Sequence, residues 1–135
     1  MQALIASRLD LLPAGARAIA QAASVVGRVF WSKAVAFARS LPTAEVAAGI
    51  RELVDRDLVW PVRTPSMTGQ EEHSFRHILV RDVAYGQIPR ANRAMLHEEI
   101  ARWIEAIVAD NEDVVGILAH HYDRALELRV SLGEA

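Results

Sequence analysis

One break in periodicity constrains this chain more than any other feature. Apolar residues recur at helical spacing from Ile5 to Leu53, turn β-like from Leu58 to Arg76, and return to helical spacing afterwards. Ile5, Leu9 and Leu12 form a first stripe. Pro13 suits the first turn of a second helix carrying Ala16, Ile19, Ala23 and Val26, and Gly27 is a natural stop. Ser32 is a candidate cap for a third helix through about Arg39. Thr43 is a candidate cap for a fourth, which buries Val46, Ile50 and Leu53 and ends near Arg56. Leu58–Val62 and His73–Arg76 are short β-prone runs joined by a polar loop, Thr64–Gly69, and read as a hairpin.

Beyond the hairpin a helix is predicted from His77 to about Ile88, where Pro89 stops it. Leu96, Ile100, Trp103, Ile104 and Ile107 then give the cleanest stripe in the chain, with Glu98, Glu99, Arg102 and Glu105 opposite. A turn at Asp110–Asp113 leads to a last helix with Val115, Leu118, Tyr122 and Ala125 on one face. Three helices followed by a hairpin is the order of a winged helix, and two further helices look like the opening of a helical-repeat array. The expected fold is therefore mainly α: a winged helix over 1–88 and the first helices of a helical-repeat region over 89–135. Stacked repeats need neighbours or a cap, so we expect a piece of a longer polypeptide, able to form a homodimer through exposed apolar helix faces.

Composition narrows the function classes. The chain has 135 residues, of which 52% are apolar and 24% charged, with a net charge of −2, and it contains no cysteine. This is a core-forming composition without disulfides or thiolate metal sites. Met1–Pro13 does not read as a signal peptide, and no apolar run is long enough to span a bilayer, so a soluble, cytoplasmic chain without membrane contact is expected. Of fifteen basic residues only Lys33 is lysine, a sign of a GC-rich genome rather than of mechanism. Charge is uneven: +4 over 1–42, −3 over 43–72, +3 over 73–93 and −6 over 94–135.

No phosphate-cradling glycine loop and no nucleophile elbow is present, so no catalytic residues are assigned. His97-Glu98-Glu99-Ile100-Ala101 begins like a zinc-protease helix but has alanine where the second ligand belongs. His73 and His77 straddle a predicted strand–helix boundary, and adjacent His120 and His121 diverge by about 100° on a helix. The five histidines therefore read as surface or half-buried side chains, and no metal is expected. A winged helix raises sequence-specific DNA binding as the alternative function. Its reading helix would be Thr43–Arg56, whose Glu45, Arg51, Glu52, Asp55 and Arg56, with Asp57 beyond, sum to −2. Carboxylates against a polyanion oppose the term that normally supplies affinity, so nucleic acid is not the expected partner.

Phe75–Tyr85, F-R-H-I-L-V-R-D-V-A-Y, concentrates the chemistry. His77 falls at a strand–helix boundary, with Arg76 and Arg81 flanking it and Asp82 five residues on. One reading is a capping histidine with solvated arginines. The other is an anion sensor, in which imidazole, helix amides and guanidinium face a phosphate.

Leu9–Phe30 (L-D-L-L-P-A-G-A-R-A-I-A-Q-A-A-S-V-V-G-R-V-F), Ile50–Val59 (I-R-E-L-V-D-R-D-L-V) and Phe75–Tyr85, with R-A-M-L-H-E-E-I-A and L-A-H-H-Y-D-R-A further on, span most of the chain. In that order they resemble the region after the nucleotide-binding domain of signal-transduction ATPases with numerous domains, especially bacterial members fused to adenylate/guanylate cyclases or to LuxR-type transcription regulators. The resemblance implies a winged helix followed by the start of a tetratricopeptide-like region, together a non-catalytic arm that packs on an intramolecular nucleotide-binding domain, favours its ADP state and passes the change to downstream repeats. ADP or ATP with Mg would belong to the parent protein, with no cofactor in this chain. H-I-L-V-R-D-V-A is also similar to the M-H-D-L-V-R-D-L-A run of plant immune receptors, whose histidine contacts the ADP phosphate. That likeness implies a phosphate-sensing role for His77, beside Arg76 and Arg81. Ile78 and Arg76 depart from the receptors' aspartate and methionine.

Overall fold

Two prolines set where the well-buried helices begin. Pro13 and Pro42 are both extended, with ψ 146° and 144°, and each carbonyl accepts the first helical bond, from Arg17 N–H at 3.0 Å and Val46 N–H at 3.2 Å. The computed structural model describes residues 2–65, 69–107 and 112–133, without the side chains of 112–118. Within these the order is α1 (Gln2–Asp10), α2 (Ala14–Val26), β1 (Val29–Trp31), α3 (Ser32–Arg39), α4 (Thr43–Asp55), β2 (Val59–Pro61), β3 (Glu72–Phe75), α5 (Ile78–Gly86), α6 (Arg90–Ile107) and α7 (Glu112–Ser131). The described chain is thus mainly helical with one small antiparallel sheet. No described helix is long and apolar enough to cross a membrane.

Two expected caps move by one residue. Thr43 is the first residue of α4, and Pro42 occupies the cap position. Ser32 opens α3, and Trp31 precedes it in extended conformation because it is still paired in the sheet. Gly27 ends α2 as expected. Its φ of 147° lies where side-chain-bearing residues rarely go, and its N–H returns to Ala23 O at 3.2 Å.

The hairpin is part of a larger unit. β2 and β3 pair antiparallel, Trp60 opposite Ser74, but β3 also pairs with β1, Val29 opposite Ser74, giving the order β1-β3-β2. β1 was not anticipated: it is three residues long, and its partner lies more than forty residues away. Phe30 and Phe75 project into the core with ring centroids 5.3 Å apart, each fully buried. Burial at that level contributes roughly 1.5–3 kcal/mol per side chain.

α2, α3 and α4 pack beneath this sheet around Ile19, Leu53, Leu58 and Val25. α2 and α4 approach closely at Gly49, where an added Cβ would lie 2.2 Å from Ile19 Cδ1. α6 packs on α3 and α2, and its Leu96, Ile100, Trp103 and Ile104 join the same core. Trp31 ties sheet to helix: its ring stacks on Trp103 with centroids 5.8 Å apart, and its indole N–H donates to the buried Glu72 carboxylate at 2.9 Å.

α7 packs mainly along α6. Its inward residues are His121, Ala125 and Leu128, at i, i+4 and i+7. Ala125 lies inward as expected, but Tyr122 does not. Tyr122 lies one residue, about 100°, away from His121, is exposed, and donates to Glu105 at 2.8 Å across the surface of the pair. Ile107, expected inside, is exposed at the end of α6. The side chains of Val115 and Leu118, the loop tip 66–68 and residues 110–111 of the expected turn fall outside what is described, and Glu112 and Asp113 already belong to α7.

Candidate functional site

Strand β3 delivers the chain to α5 under tight backbone control. Phe75 N–H donates to Arg28 O at 2.8 Å and Arg76 N–H to Leu58 O at 2.9 Å, so the segment is held from both sides. His77 follows in extended conformation (φ −133°, ψ 146°) as the N-cap of α5, and its carbonyl accepts from Val80 N–H at 3.0 Å. Its imidazole makes no capping bond and is exposed, as is Ile78 beside it. The first-turn amides of α5 therefore have no side-chain acceptor at the cap, and a solvent-facing imidazole stands next to them.

The two arginines around His77 are held by different neighbours. Arg76 forms an ion pair with Asp57, and its guanidinium carbon lies 5.2 Å from the centroid of the Trp60 ring. Asp57 accepts from Trp60 Nε1–H at 3.3 Å as well, so a carboxylate, an indole and a guanidinium close a small exposed cluster on β2. Arg81 turns the other way. Its Nε–H donates to Ser24 O at 2.8 Å, Nη1 bonds Asp82 at 3.1 Å, and its guanidinium carbon lies 4.5 Å from the Tyr85 ring centroid. An incoming phosphate at the start of α5 would thus meet His77 and the helix amides directly, whereas Arg81 would have to give up protein partners.

The arrangement on the far side of α5 was missed by the sequence reading. Two guanidiniums cover the Tyr85 ring, Arg81 of α5 with its carbon 4.5 Å from the ring centroid and Arg93 of α6 at 4.8 Å, and Arg124 of α7 acts on the neighbouring His97. The Tyr85 hydroxyl is 3.0 Å from His97 Nε2, and His97 Nδ1 is 2.7 Å from His121 Nδ1. Both imidazoles are fully buried, which corrects the expectation of surface or half-buried histidines. Each supplies the polar partner that the other needs, so burial of either alone would be costly and burial of both is tolerable. Burial pushes His97 down to about 3, helped by His121, His120 and the Arg124 and Arg81 guanidiniums. Burial likewise pushes His121 down to about 4, with His120 and Arg81 adding to it. Two signals could have exposed the pair. His97 sits in phase with Ala101 and Ile104, and His121 with Ala125 and Leu128, both on inward faces.

Among the described residues no three His, Cys, Asp or Glu side chains are grouped so as to hold a metal ion. Elsewhere the β-sheet presents a partly bare face. Val29, Ser74 and Trp60 lie opposite one another in register, so their side chains share one face; Val29 is 40% exposed and Trp60 50%. Ile78, just beyond β3, is 51% exposed. The outward face of α4 carries Glu45, Ala48, Arg51 and Asp55 and no asparagine or glutamine. Comparison of the chain with protein-family models, with curated proteins and with solved structures finds no match.

Proposed function

We propose that this chain is a winged-helix module with the first helices of a tetratricopeptide-like region, acting as the non-catalytic regulatory arm of a larger nucleotide-dependent signalling ATPase. α2, β1, α3, α4, β2 and β3 supply the winged helix, and the sheet order β1-β3-β2 supports that reading. The antiparallel hairpin of α6 and α7 would be the first repeat. The observation that carries the functional part is the surface where β3 meets α5. An exposed imidazole caps α5 beside exposed Ile78, and Val29 and Trp60 share an exposed face of the sheet, with Arg76 over the Trp60 ring. Exposed tryptophan and arginine on a rigid sheet are the residue types that anchor protein interfaces. The partner would be an intramolecular nucleotide-binding domain, with ADP phosphate near His77 in the closed state. Arg76 would steer from the rim, and Arg81 would engage only if it left Ser24 and Asp82.

Such a clasp regulates only if contacts differ between nucleotide states. In a longer protein carrying this chain after a nucleotide-binding domain, His77→Ala is expected to speed ADP release and raise basal output. An unchanged ADP off-rate together with unchanged output would overturn the sensing role. The output domain would be a cyclase or a transcription regulator in this reading. DNA binding by α4 itself is the weaker account, because its outward carboxylates face where a duplex would lie.

A further inference from the structure

The buried histidine pair has a definite proton arithmetic. The Arg81 and Arg93 guanidiniums over the Tyr85 ring can only donate, so the Tyr85 hydroxyl finds no acceptor in them and has its own proton left to place. His97 Nε2, 3.0 Å away, accepts that proton. The neutral His97 then carries its hydrogen on Nδ1 and donates it to His121 Nδ1 at 2.7 Å. His121 must hold its hydrogen on Nε2, a buried atom that has no partner. One proton lies between the two Nδ1 atoms, and there is no room for a second: two N–H groups cannot face each other at that distance. A proton added to His121 would have to go onto Nδ1. A proton added to His97 would have to go onto Nε2, displacing the hydrogen of Tyr85, whose other neighbours are guanidiniums.

We propose that the His97–His121 contact is a proton-operated latch: α7 stays seated on α6 while both imidazoles are neutral, and it is released when either takes up a second proton. The groups acting on the pair reinforce that behaviour. From α5 come Tyr85 and Arg81, and from α7 His120 and Arg124; every charge among them is positive or becomes so on protonation. α2 and α3, which also pack on α6, supply no ionisable side chain acting on either imidazole. Among the described residues a new positive charge therefore meets repulsion and no carboxylate. The depressed affinity for protons in both rings agrees with this placement. Release would separate the α6–α7 hairpin, and this holds whatever the chain's parent does.

The test is imidazole NMR with amide hydrogen exchange on the full chain between pH 7.5 and 4.5. The two buried rings are expected to keep the stated tautomers down to about pH 5. Protection of α7 amides, corrected for the intrinsic exchange rate, is expected to fall about tenfold per pH unit below pH 6.5 for each proton taken up on opening. Amides of α2 and α4 should not follow that slope. His121→Leu removes the acceptor and the orphan N–H together but leaves His97, so the slope of its α7 protection should fall to that of a single proton over the same range. Constant α7 protection in the wild type, or rings that titrate like free histidine, would overturn the latch. So would a rise in α7 protection on adding zinc, which would mark the pair as metal ligands. If the leucine variant does not fold, the wild-type titration alone still decides.

Discussion

At Gly49 a single hydrogen decides how closely two helices meet. A glycine inside α4 costs about 1 kcal/mol against alanine, so Gly49→Ala would stabilise an isolated helix. Here the new methyl would land 2.2 Å from Ile19 Cδ1, in a core where Ile19 is itself fully buried. Overpacking of that kind costs about 1–3 kcal/mol. We expect Gly49→Ala to lower stability in chemical denaturation, and Ile19→Val, which lacks Cδ1, to recover part of the loss when the two are combined. Simple additivity of the two substitutions would show that the helices can move apart freely. Gly49 was legible as a helix residue but not as a contact, because the partner atom belongs to a helix thirty residues earlier. The histidines misled for a related reason. An imidazole reads as polar in any single stretch of sequence, and only another imidazole brought from 24 residues away makes its burial tolerable.

At the scale of elements, α7 is held by a polar seam outside the histidine pair. Arg129 grips Glu98 of α6 with both its Nε–H and its Nη2–H, the latter 2.9 Å from Oε2. The Arg129 hydrogen bond is the main cause that holds the Glu98 carboxyl below its ordinary range. A depressed acid contributes stability above its unfolded pKa and loses it as pH falls through the folded value, so this seam weakens only in the acid range of carboxylates. The pair is partly exposed, so Glu98→Gln should cost no more than about 1 kcal/mol, read as a modest loss of α7 protection at pH 7. Helices were mostly readable because their signals are local. Pro13, Gly27 and Pro89 punctuate the chain, and the stripe at Leu96, Ile100 and Ile104 repeats every turn. β1 was not readable, since three residues carry no period, and its identity as a strand is conferred by β3. On α7 Tyr122 was misread because it is apolar enough to pass for core while the true core residue at that level is His121.

For the whole molecule the histidine pair sets an acid limit. Both rings bind protons less readily folded than unfolded, so the unfolded state takes up more protons as pH drops below about 6.5 and stability falls; the loss continues until the folded values, about 3 and 4, are reached. By pH 5 this is on the order of 2 kcal/mol per histidine. Thermal melts at pH 7.5 and pH 5 should show the decline, and replacing both histidines by leucine should shrink it. Gel-shift measurements at low salt should show no retention of duplex DNA, given the acidic outer face of α4 and the net charge of −2. The positions of His77 and of the β2–β3 hairpin were predictable from the order of β-prone and helical runs, whereas the face shared by Val29 and Trp60 depends on a register that no single run contains. The sheet order has one more consequence. β3 is the central strand, yet it is the last of the three to be synthesised. A nascent chain emerging from the ribosome through β2 therefore carries two outer strands with their middle rung missing, and the sheet can zip only after Phe75 clears the exit tunnel.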